Sequence, residues 1–228
     1  MKIVAVVPVK KVSERVESKN FKDFYRGSSL FDIKINQLLS STSIQQVFVS
    51  SDIVELPTFS GNQSRVQLID RPNEFCNNVT PWSDVIYEVV GSLPVDDDDI
   101  VVWAHVTCPF FARFDEAIEA YFRASDQGYD GIVGVERMAE FFINHAKRPV
   151  NYSWGGWHPY SQELDPLYRV TGAVFIAKKS MFLKMRYVVS RQPQFFETTS
   201  IEGLDIDTPS QFELASYLFA NYGNMNWI

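Results

Sequence analysis

The sequence lacks features that are typical of disulfide-rich, metal-binding, nucleic-acid-binding and membrane proteins. It contains two cysteines, Cys76 and Cys108, in 228 residues, without the spacing of a metal site or a disulfide framework, which fits a reducing cytosol. It has no basic excess: the formal net charge is −7, which disfavours an extended nucleic-acid surface. The apolar run at its start, 3–8, is too short for a signal peptide or a membrane span. We therefore expect a cytoplasmic protein that binds neither nucleic acid nor membrane.

Internal repeats and low-complexity stretches are also lacking. Hydrophobic residues make up 46% of the chain and charged residues 21%, as in ordinary globular proteins. A chain of 228 residues can bury one substantial core but is short for two. We predict a single domain over residues 1–228.

Apolar runs alternate with helical patterns along the chain. Strands are predicted at 2–7, 46–50, 66–69, 100–106, 131–135 and 172–177. Helices are predicted at 29–40, 82–93, 114–124 and from 208–209 to about 220, with Thr208 as N-cap and Pro209 in the first helical position. This alternation predicts an α/β fold with a mostly parallel sheet.

One segment interrupts the alternation. Residues 140–168 are rich in aromatic residues, proline and glycine and show little periodicity. The segment is too long for an ordinary loop, so we expect a lid or a dimerisation arm.

A basic loop follows the first predicted strand. Between Lys10 and Lys19 the chain carries four basic residues in ten, at the sheet edge where open α/β folds bind ligands. Such a cluster in an acidic protein suits a triphosphate. The loop has no glycine, which excludes a Walker loop and a dinucleotide fingerprint. The alternative is a solvated basic loop.

Two aspartates precede the last predicted helix. Asp205 and Asp207 alternate along an extended segment, so their side chains share one face of the backbone. Two such carboxylates can anchor Mg²⁺, with water and phosphate oxygens completing its coordination. The alternative is a capping turn, with Asp207 stabilising the helix N-terminus.

Two further polar residues follow predicted strands. His105 ends the central strand and could contact a base or a ribose; the alternative is a hydrogen-bonded core histidine. Arg71 follows the third strand and could contact a base or pair with a nearby acid.

Taken in order, these residues resemble the acylneuraminate and 3-deoxy-manno-octulosonate cytidylyltransferase family. The family's opening motif, I-P-A-R-x-x-S-K-G-x-x-x-K-N, is similar to residues 7–20, and Arg15 matches an arginine of the octulosonate branch. Four later motifs are similar to residues 49–52, 71–75, 105–109 and 162–173, and D-I-D-T at 205–208 is intact. The resemblance covers nearly the whole chain.

The resemblance implies an activity and an assembly. It implies transfer of CMP from CTP to the anomeric hydroxyl of a sialic-acid-like sugar acid, with release of pyrophosphate and with Mg²⁺ as cofactor. It also implies a fold of the nucleotide-diphospho-sugar transferase type. The protein would be a homodimer whose arm, residues 140–168, reaches into the neighbouring subunit.

The resemblance also implies the roles of individual residues. Those implied to bind the nucleotide are Lys10, Ser13, Arg15, Asn20, Asp52, Arg71 and His105. Those implied to bind the sugar acid are Gln162 and Arg169, and those implied to hold Mg²⁺ are Asp205 and Asp207. The residues implied to be catalytic are Arg15, Lys19 and Asp207.

Five positions depart from the family pattern. Lys10 replaces an arginine, Glu14 replaces a lysine of the sialic-acid branch, and His105 replaces a glutamine. Phe111 stands where an arginine is expected, and Ser161 replaces a basic residue. These departures indicate a divergent subfamily and leave the sugar open, with octulosonate as one alternative.

Two other classes remain as alternatives. A divergent, non-catalytic nucleotide-sugar-binding protein would also suit the substitutions in the basic loop. A glycosyltransferase is disfavoured, since its D-x-D motif usually lies in mid-chain and not before the final helix.

Overall fold

The computed structural model describes residues 1–13, 15–59 and 61–222. Its strands are β1 (Ile3–Pro8), β2 (Gln46–Ser51), β3 (Val66–Asp70), β4 (Ile100–Trp103), β5 (Gly131–Met138), β6 (Leu167–Lys178) and β7 (Pro193–Glu197). Its helices are α1 (Leu30–Ser40), α2 (Trp82–Gly91), α3 (Phe114–Ser125), α4 (Lys179–Met185) and α5 (Pro209–Tyr222). Short 3-10 turns lie at Gln63–Arg65, Asn73–Phe75 and Ser161–Glu163.

The strands form one seven-stranded sheet in the order β3-β2-β1-β4-β6-β5-β7. β1 pairs in parallel with β2 and β4, and β2 pairs in parallel with β3. β6 runs antiparallel to both β4 and β5, while β5 and β7 are parallel. The predicted single α/β domain with a mostly parallel sheet is confirmed, and β6 is its reversed strand.

Hydrophobic clusters cover both faces of the sheet. In β1, Ala5 and Val7 belong to one cluster and Val4 and Val6 to the other, as alternation along a strand requires. The first cluster includes residues of α1 and α3, and the second includes residues of α2 and α4. Burial on both faces explains why β1 reads as a continuous apolar run.

Several predicted boundaries were wrong. The strand predicted at 100–106 ends at Trp103, because the chain turns after Ala104, where Cys108 N donates to His105 O. The strands predicted at 131–135 and 172–177 extend to Met138 and begin at Leu167, because these extensions pair with each other in a long antiparallel ladder. Strand ends depend on pairing partners, which periodicity does not show.

Two short elements, α4 and β7, were not predicted. α4 has seven residues and β7 has five. β7 lies at the sheet edge and is only partly buried, so it lacks the apolar run that identified β1.

The segment predicted as a lid or arm contains little regular structure. It has an isolated bridge between Ile143 and Pro149 and the short turn Ser161–Glu163, and its last two residues begin β6. Several of its large side chains are exposed, with Trp157 at 89% and Tyr160 at 75%, whereas Leu164 is buried. Its function as an arm stays a prediction.

None of the helices in the described part of the chain combines the length and the apolar character needed to cross a membrane.

A lysine is fully buried beneath the central strands. Lys34 of α1 donates from Nζ to the carbonyl oxygen of Phe111 at 2.8 Å, and its ammonium lies 5.1 Å from the ring centre of Phe114. Burial lowers the pKa of Lys34 to about 7, although nearby Cys108 favours the charged form. Lys34 thereby ties α1 to the turn that follows β4.

We expect this buried amine to make stability depend on pH. The pKa of Lys34 in the folded chain, about 7, lies below the value of about 10.4 for an unfolded lysine. Between these values the unfolded chain holds the extra proton, so the free energy of unfolding rises with pH from about 7 to about 10. Lys34→Met should remove this rise, as measured by urea unfolding at several pH values.

The control is Lys184→Met, which removes an exposed lysine from α4. It should keep the pH dependence of the wild type. If Lys34→Met and the wild type show parallel curves, the buried amine does not set this dependence.

Candidate functional site

A cleft of about 570 Å³ opens at the carboxyl edge of the sheet. It lies where β1 and β4 end, the position at which open α/β sheets bind ligands. The predicted site residues that line it are Lys10, Ser13, Lys19, Asn20, Arg71 and His105. A smaller adjoining pocket of about 80 Å³ is lined by Lys10, Ser13, Lys19 and also Arg15. The structure therefore gathers most of the predicted nucleotide-binding residues.

Basic side chains in this region contact the loop 77–81 and the D-I-D segment. Lys10 Nζ donates to Asn78 Oδ1 at 2.6 Å. Arg15 Nη2 lies 3.1 Å from Asp207 Oδ1, and Lys19 Nζ lies 3.5 Å from the same oxygen. Lys19 also donates to the carbonyl oxygen of Ile206. The two motifs therefore meet, although they are far apart in sequence.

Lys19 is nearly buried, with 9% of its surface exposed. Burial lowers its pKa, while the neighbouring carboxylates Asp207 and Asp205 oppose that shift. Its charge is therefore little screened by water and acts strongly on any anion in the cleft.

The D-I-D segment is fastened to the end of the central strand. Ile206 is fully buried, and its N–H donates to the carbonyl oxygen of Thr107 at 2.9 Å. Thr208 caps α5: its Oγ1 accepts from Gln211 N, and Gln211 Oε1 accepts from Thr208 N. The predicted cap is confirmed, and the capping contacts of the described residues do not use the Asp207 side chain.

The two aspartates fit a magnesium ion. Asp205 Oδ1 is buried and has no hydrogen-bond partner among the described residues, which is costly unless a cation or another donor arrives. Within 1–13, 15–59 and 61–222 no cluster of three or more His, Cys, Asp or Glu residues could hold a metal. Two carboxylates alone match Mg²⁺, which commonly takes its other ligands from water and phosphate.

A glycine in β6 allows Asp205 to lie close to the sheet. A Cβ at Gly172 would be 3.1 Å from Cys108 Sγ and 3.3 Å from Asp205 Oδ2. Any larger residue would therefore displace one of these neighbours.

An ion pair missed in the sequence holds the loop before Asp205. Arg113 Nε and Nη2 donate to the two oxygens of Glu202 at 2.7 and 3.0 Å, in a bidentate pair. Glu202 is only 3% exposed and also accepts from Thr199 N at 2.9 Å. The hydrogen bond to Glu202 raises the pKa of Arg113. The only signal in the sequence was that Arg113 lies two positions after Phe111, and Phe111 occupies the position of an arginine in the family pattern.

Arg71 and His105 lie in the wall of the cleft. Arg71 donates to Val9 O at 2.9 Å and to Cys76 Sγ at 3.1 Å, so these two bonds do not involve an acid. His105 Nε2 accepts from Trp103 Nε1 at 2.8 Å. Burial is the main cause of the lowered pKa of His105.

The loop 77–81 was also missed. It lines the cleft together with Trp82, the first residue of α2, which is 45% exposed. The run of polar residues between two elements, which is typical of loops, was its only signal in the sequence.

Asp205 and Asp207, described above, line neither pocket, and three other predicted residues also lie outside the lining. Asp52 accepts a hydrogen bond from the N–H of Lys11 at 2.7 Å and so helps to hold the backbone of the basic loop. Gln162 is exposed on the turn Ser161–Glu163. Arg169 stands opposite Glu136 in the β5–β6 ladder and pairs with it, with Nε 2.9 Å from Glu136 Oε2. Glu14 lies outside the described residues.

The family model described as "Cytidylyltransferase" matches residues 4–225. The chain belongs to the cytidylyltransferase family. Of the motifs that suggested this family in the sequence, those at 7–20, 71–75 and 105–109 supply residues of the cleft lining.

Curated relatives of this chain are distant. It is 20% identical to the pseudaminic acid cytidylyltransferase of Campylobacter jejuni, over 96% of this chain and 97% of the relative. It is 23% identical to an N-acylneuraminate cytidylyltransferase of Streptococcus agalactiae, over 97% of this chain and 54% of the relative. A bifunctional pseudaminic acid cytidylyltransferase and hydrolase of Helicobacter pylori is 21% identical, with 94% and 42% covered. The chain thus spans about half the length of the last two relatives.

Solved structures share the fold. A CMP:2-keto-3-deoxy-manno-octonic acid synthetase in complex with CTP is 16% identical, with a TM-score of 0.67 and 97% and 99% of the two chains covered. The 2-C-methyl-D-erythritol 4-phosphate cytidylyltransferase of Francisella tularensis is 13% identical, with a TM-score of 0.66 and 95% and 99% covered. These likenesses show that the fold is shared over 95–97% of this chain.

Proposed function

We propose that this protein transfers CMP from CTP to the anomeric hydroxyl of a sialic-acid-like, nonulosonic sugar acid and releases pyrophosphate. The observation that carries the proposal is the meeting of the basic loop with the D-I-D segment beside the cleft, where Arg15 and Lys19 contact Asp207. The family and the relatives, which act on pseudaminic and N-acylneuraminic acids by name, support it.

The cations of the basic loop would bind the triphosphate. Lys10, Arg15 and Lys19 border the two adjoining pockets, so phosphate oxygens placed there would replace Asn78 and Asp207 as partners of these cations. Positive charge fixed near the departing pyrophosphate stabilises the transition state, because negative charge accumulates on that group.

Asp205 and Asp207 would hold Mg²⁺. When bound, the ion would polarise the phosphate and neutralise part of its charge. Asp205 is suited to this because its buried Oδ1 has no hydrogen-bond partner among the described residues.

The reaction itself is a substitution at the α-phosphate. The anomeric oxygen forms a bond to the α-phosphorus, the bond from that phosphorus to the bridging oxygen breaks, and the hydroxyl proton is lost. Because few covalent events occur on the protein, its contribution is positioning and charge.

The sugar site would be completed by a second copy of the chain. Gln162 and Arg169 do not line the cleft of their own chain, and the segment 140–166 exposes Trp154, Trp157 and Tyr160. A cytoplasmic homodimer with exchanged arms would cover these aromatic side chains. Sedimentation equilibrium tests this part, and a monomer at micromolar concentration would contradict it.

A second sugar is favoured by one residue. Arg15 matches the octulosonate branch, and its side chain contacts the D-I-D segment. Octulosonate is therefore kept as the alternative acceptor.

A substrate panel tests the proposal. Pyrophosphate release is measured with CTP, Mg²⁺ and each of N-acetylneuraminate, pseudaminate and octulosonate, with ATP as the control nucleotide. We expect release with CTP and one nonulosonate, and much less with ATP. Binding of CTP without turnover on any acid would instead favour a non-catalytic nucleotide-sugar-binding protein.

A further inference from the structure

A hydrogen bond between two side chains lies at the inner wall of the cleft. Trp103 is fully buried at the end of β4, and its Nε1–H donates to Nε2 of His105 at 2.8 Å. The two side chains contact each other, although β4 ends at Trp103 and the chain turns after Ala104. His105 itself lines the cleft.

This bond determines where the imidazole carries its proton. An indole N–H can only donate, so Nε2 of His105 must accept through its lone pair. In a neutral imidazole the proton then lies on Nδ1. The described residues offer Nδ1 no hydrogen-bond partner, so this donor is available to a molecule in the cleft.

The surroundings of His105 keep the ring neutral and in place. Aromatic rings surround it, with centroid distances of 6.5 Å to Trp82, 6.0 Å to Trp103 and 6.3 Å to Phe175. Burial lowers the pKa of His105; the carboxylates Asp205 and Asp207 oppose this shift, and Lys34 and Lys19 reinforce it. A protonated ring would also place a second donor against the Trp103 N–H.

We infer that Trp103 is a positioning residue for base selection: it holds His105 in the Nδ1–H tautomer, and His105 then donates to N3 of cytosine. The inference rests on the proposed use of CTP. Cytosine has an acceptor at N3, whereas uracil has an N–H there, which would face the donor of His105. A glutamine amide could rotate to offer its oxygen to uracil, but the fixed imidazole offers only the donor.

The tautomer can be read directly by ¹⁵N NMR. The chain has three histidines, and His145 and His158 are exposed, so the His105 signals can be assigned by substitution. We expect a protonated Nδ1 and an unprotonated Nε2 at His105 near neutral pH. A protonated Nε2 would overturn the inference, whatever the protein binds.

Base selection is measured by the dissociation constants of CTP and UTP. We expect the wild type to prefer CTP, and Trp103→Phe, which removes the N–H donor, to reduce the preference by about tenfold. His105→Phe should lose it to a similar extent, mainly through weaker CTP binding. Unchanged preference in both variants would contradict the inference.

A matched control changes a neighbouring indole. Trp82→Phe alters the ring beside His105 but keeps the Trp103 hydrogen bond, so the His105 tautomer should not change. A changed tautomer would mean that aromatic packing, and not the N–H donor, sets the proton. If Trp103→Phe fails to fold, the wild-type spectrum and His105→Phe still test the inference. Failure of the wild type to bind either nucleotide would contradict the proposed function but leave the tautomer measurement intact.

Discussion

Asp205→Asn is expected to lower CMP transfer by about a hundredfold to a thousandfold while the folded chain keeps or gains stability. In the proposed site the carboxylate would hold Mg²⁺, and without the ion its buried Oδ1 has no hydrogen-bond partner among the described residues. An amide removes that buried charge at nearly the same shape, so the unfolding temperature should not fall. Turnover and thermal unfolding, with and without Mg²⁺, test both effects.

Metal binding gives a readout apart from activity. Titration with Mg²⁺ in the presence of CTP should show weaker binding in Asp205→Asn. The control is Asp98→Asn, which removes an aspartate whose side chain is 83% exposed and which pairs with Lys178 away from the cleft. It should leave turnover, metal binding and the unfolding temperature near wild type. Normal metal binding by Asp205→Asn would remove Asp205 from the proposed metal site.

Lys19→Met is the second substitution with a large expected effect. It keeps the aliphatic chain but removes a nearly buried ammonium from the border of the cleft, so we expect turnover to fall by about a hundredfold or more. It also deprives the carbonyl oxygen of Ile206 of its lysine donor, and stability should fall by about 1–3 kcal/mol. Steady-state kinetics and urea unfolding measure the two losses.

Two variants separate charge from local structure at this position. Lys19→Arg restores a cation and should recover part of the turnover. Lys11→Met removes a lysine of the same loop that does not line the cleft, and its turnover should stay within about twofold of wild type. Equal losses in Lys11→Met and Lys19→Met would point to a general effect of loop charge and contradict a specific role for Lys19.

Local patterns predicted most of the fold because the sheet buries both faces of its central strands. β1 and β4 are continuous apolar runs, and α3 carries an apolar stripe at helical spacing. The ends of β5 and β6 were wrong because their ladder depends on pairing between distant residues, such as Met138 with Leu167. The edge strand β7 was missed because it is partly exposed.

The sequence predicted those residues of the candidate site that follow parallel strands, because the carboxyl ends of such strands lie at one edge of the sheet. Residues after β1, β3 and β4 come together because these strands are parallel, so Lys10, Arg71 and His105 line one cleft. Residues 140–166 do not follow a strand of the parallel sheet directly in this way, so the position of strand ends does not predict where they lie. The single chain does not bring Gln162 into the cleft.

The sequence by itself determined the family, the positions of the central strands along the chain and the residues that carry charge to their carboxyl edge. The tertiary structure alone decided which partners those charges have. Arg113 donates to Glu202, Lys34 donates to the carbonyl oxygen of Phe111, and Lys19 donates to the carbonyl oxygen of Ile206. In each pair the two residues are more than seventy positions apart in the chain. Periodicity reports which face a residue occupies, whereas such contacts depend on how the elements pack against one another. The D-I-D motif could therefore be recognised in the sequence, but its contacts with the basic loop and with the end of β4 could not be predicted from it.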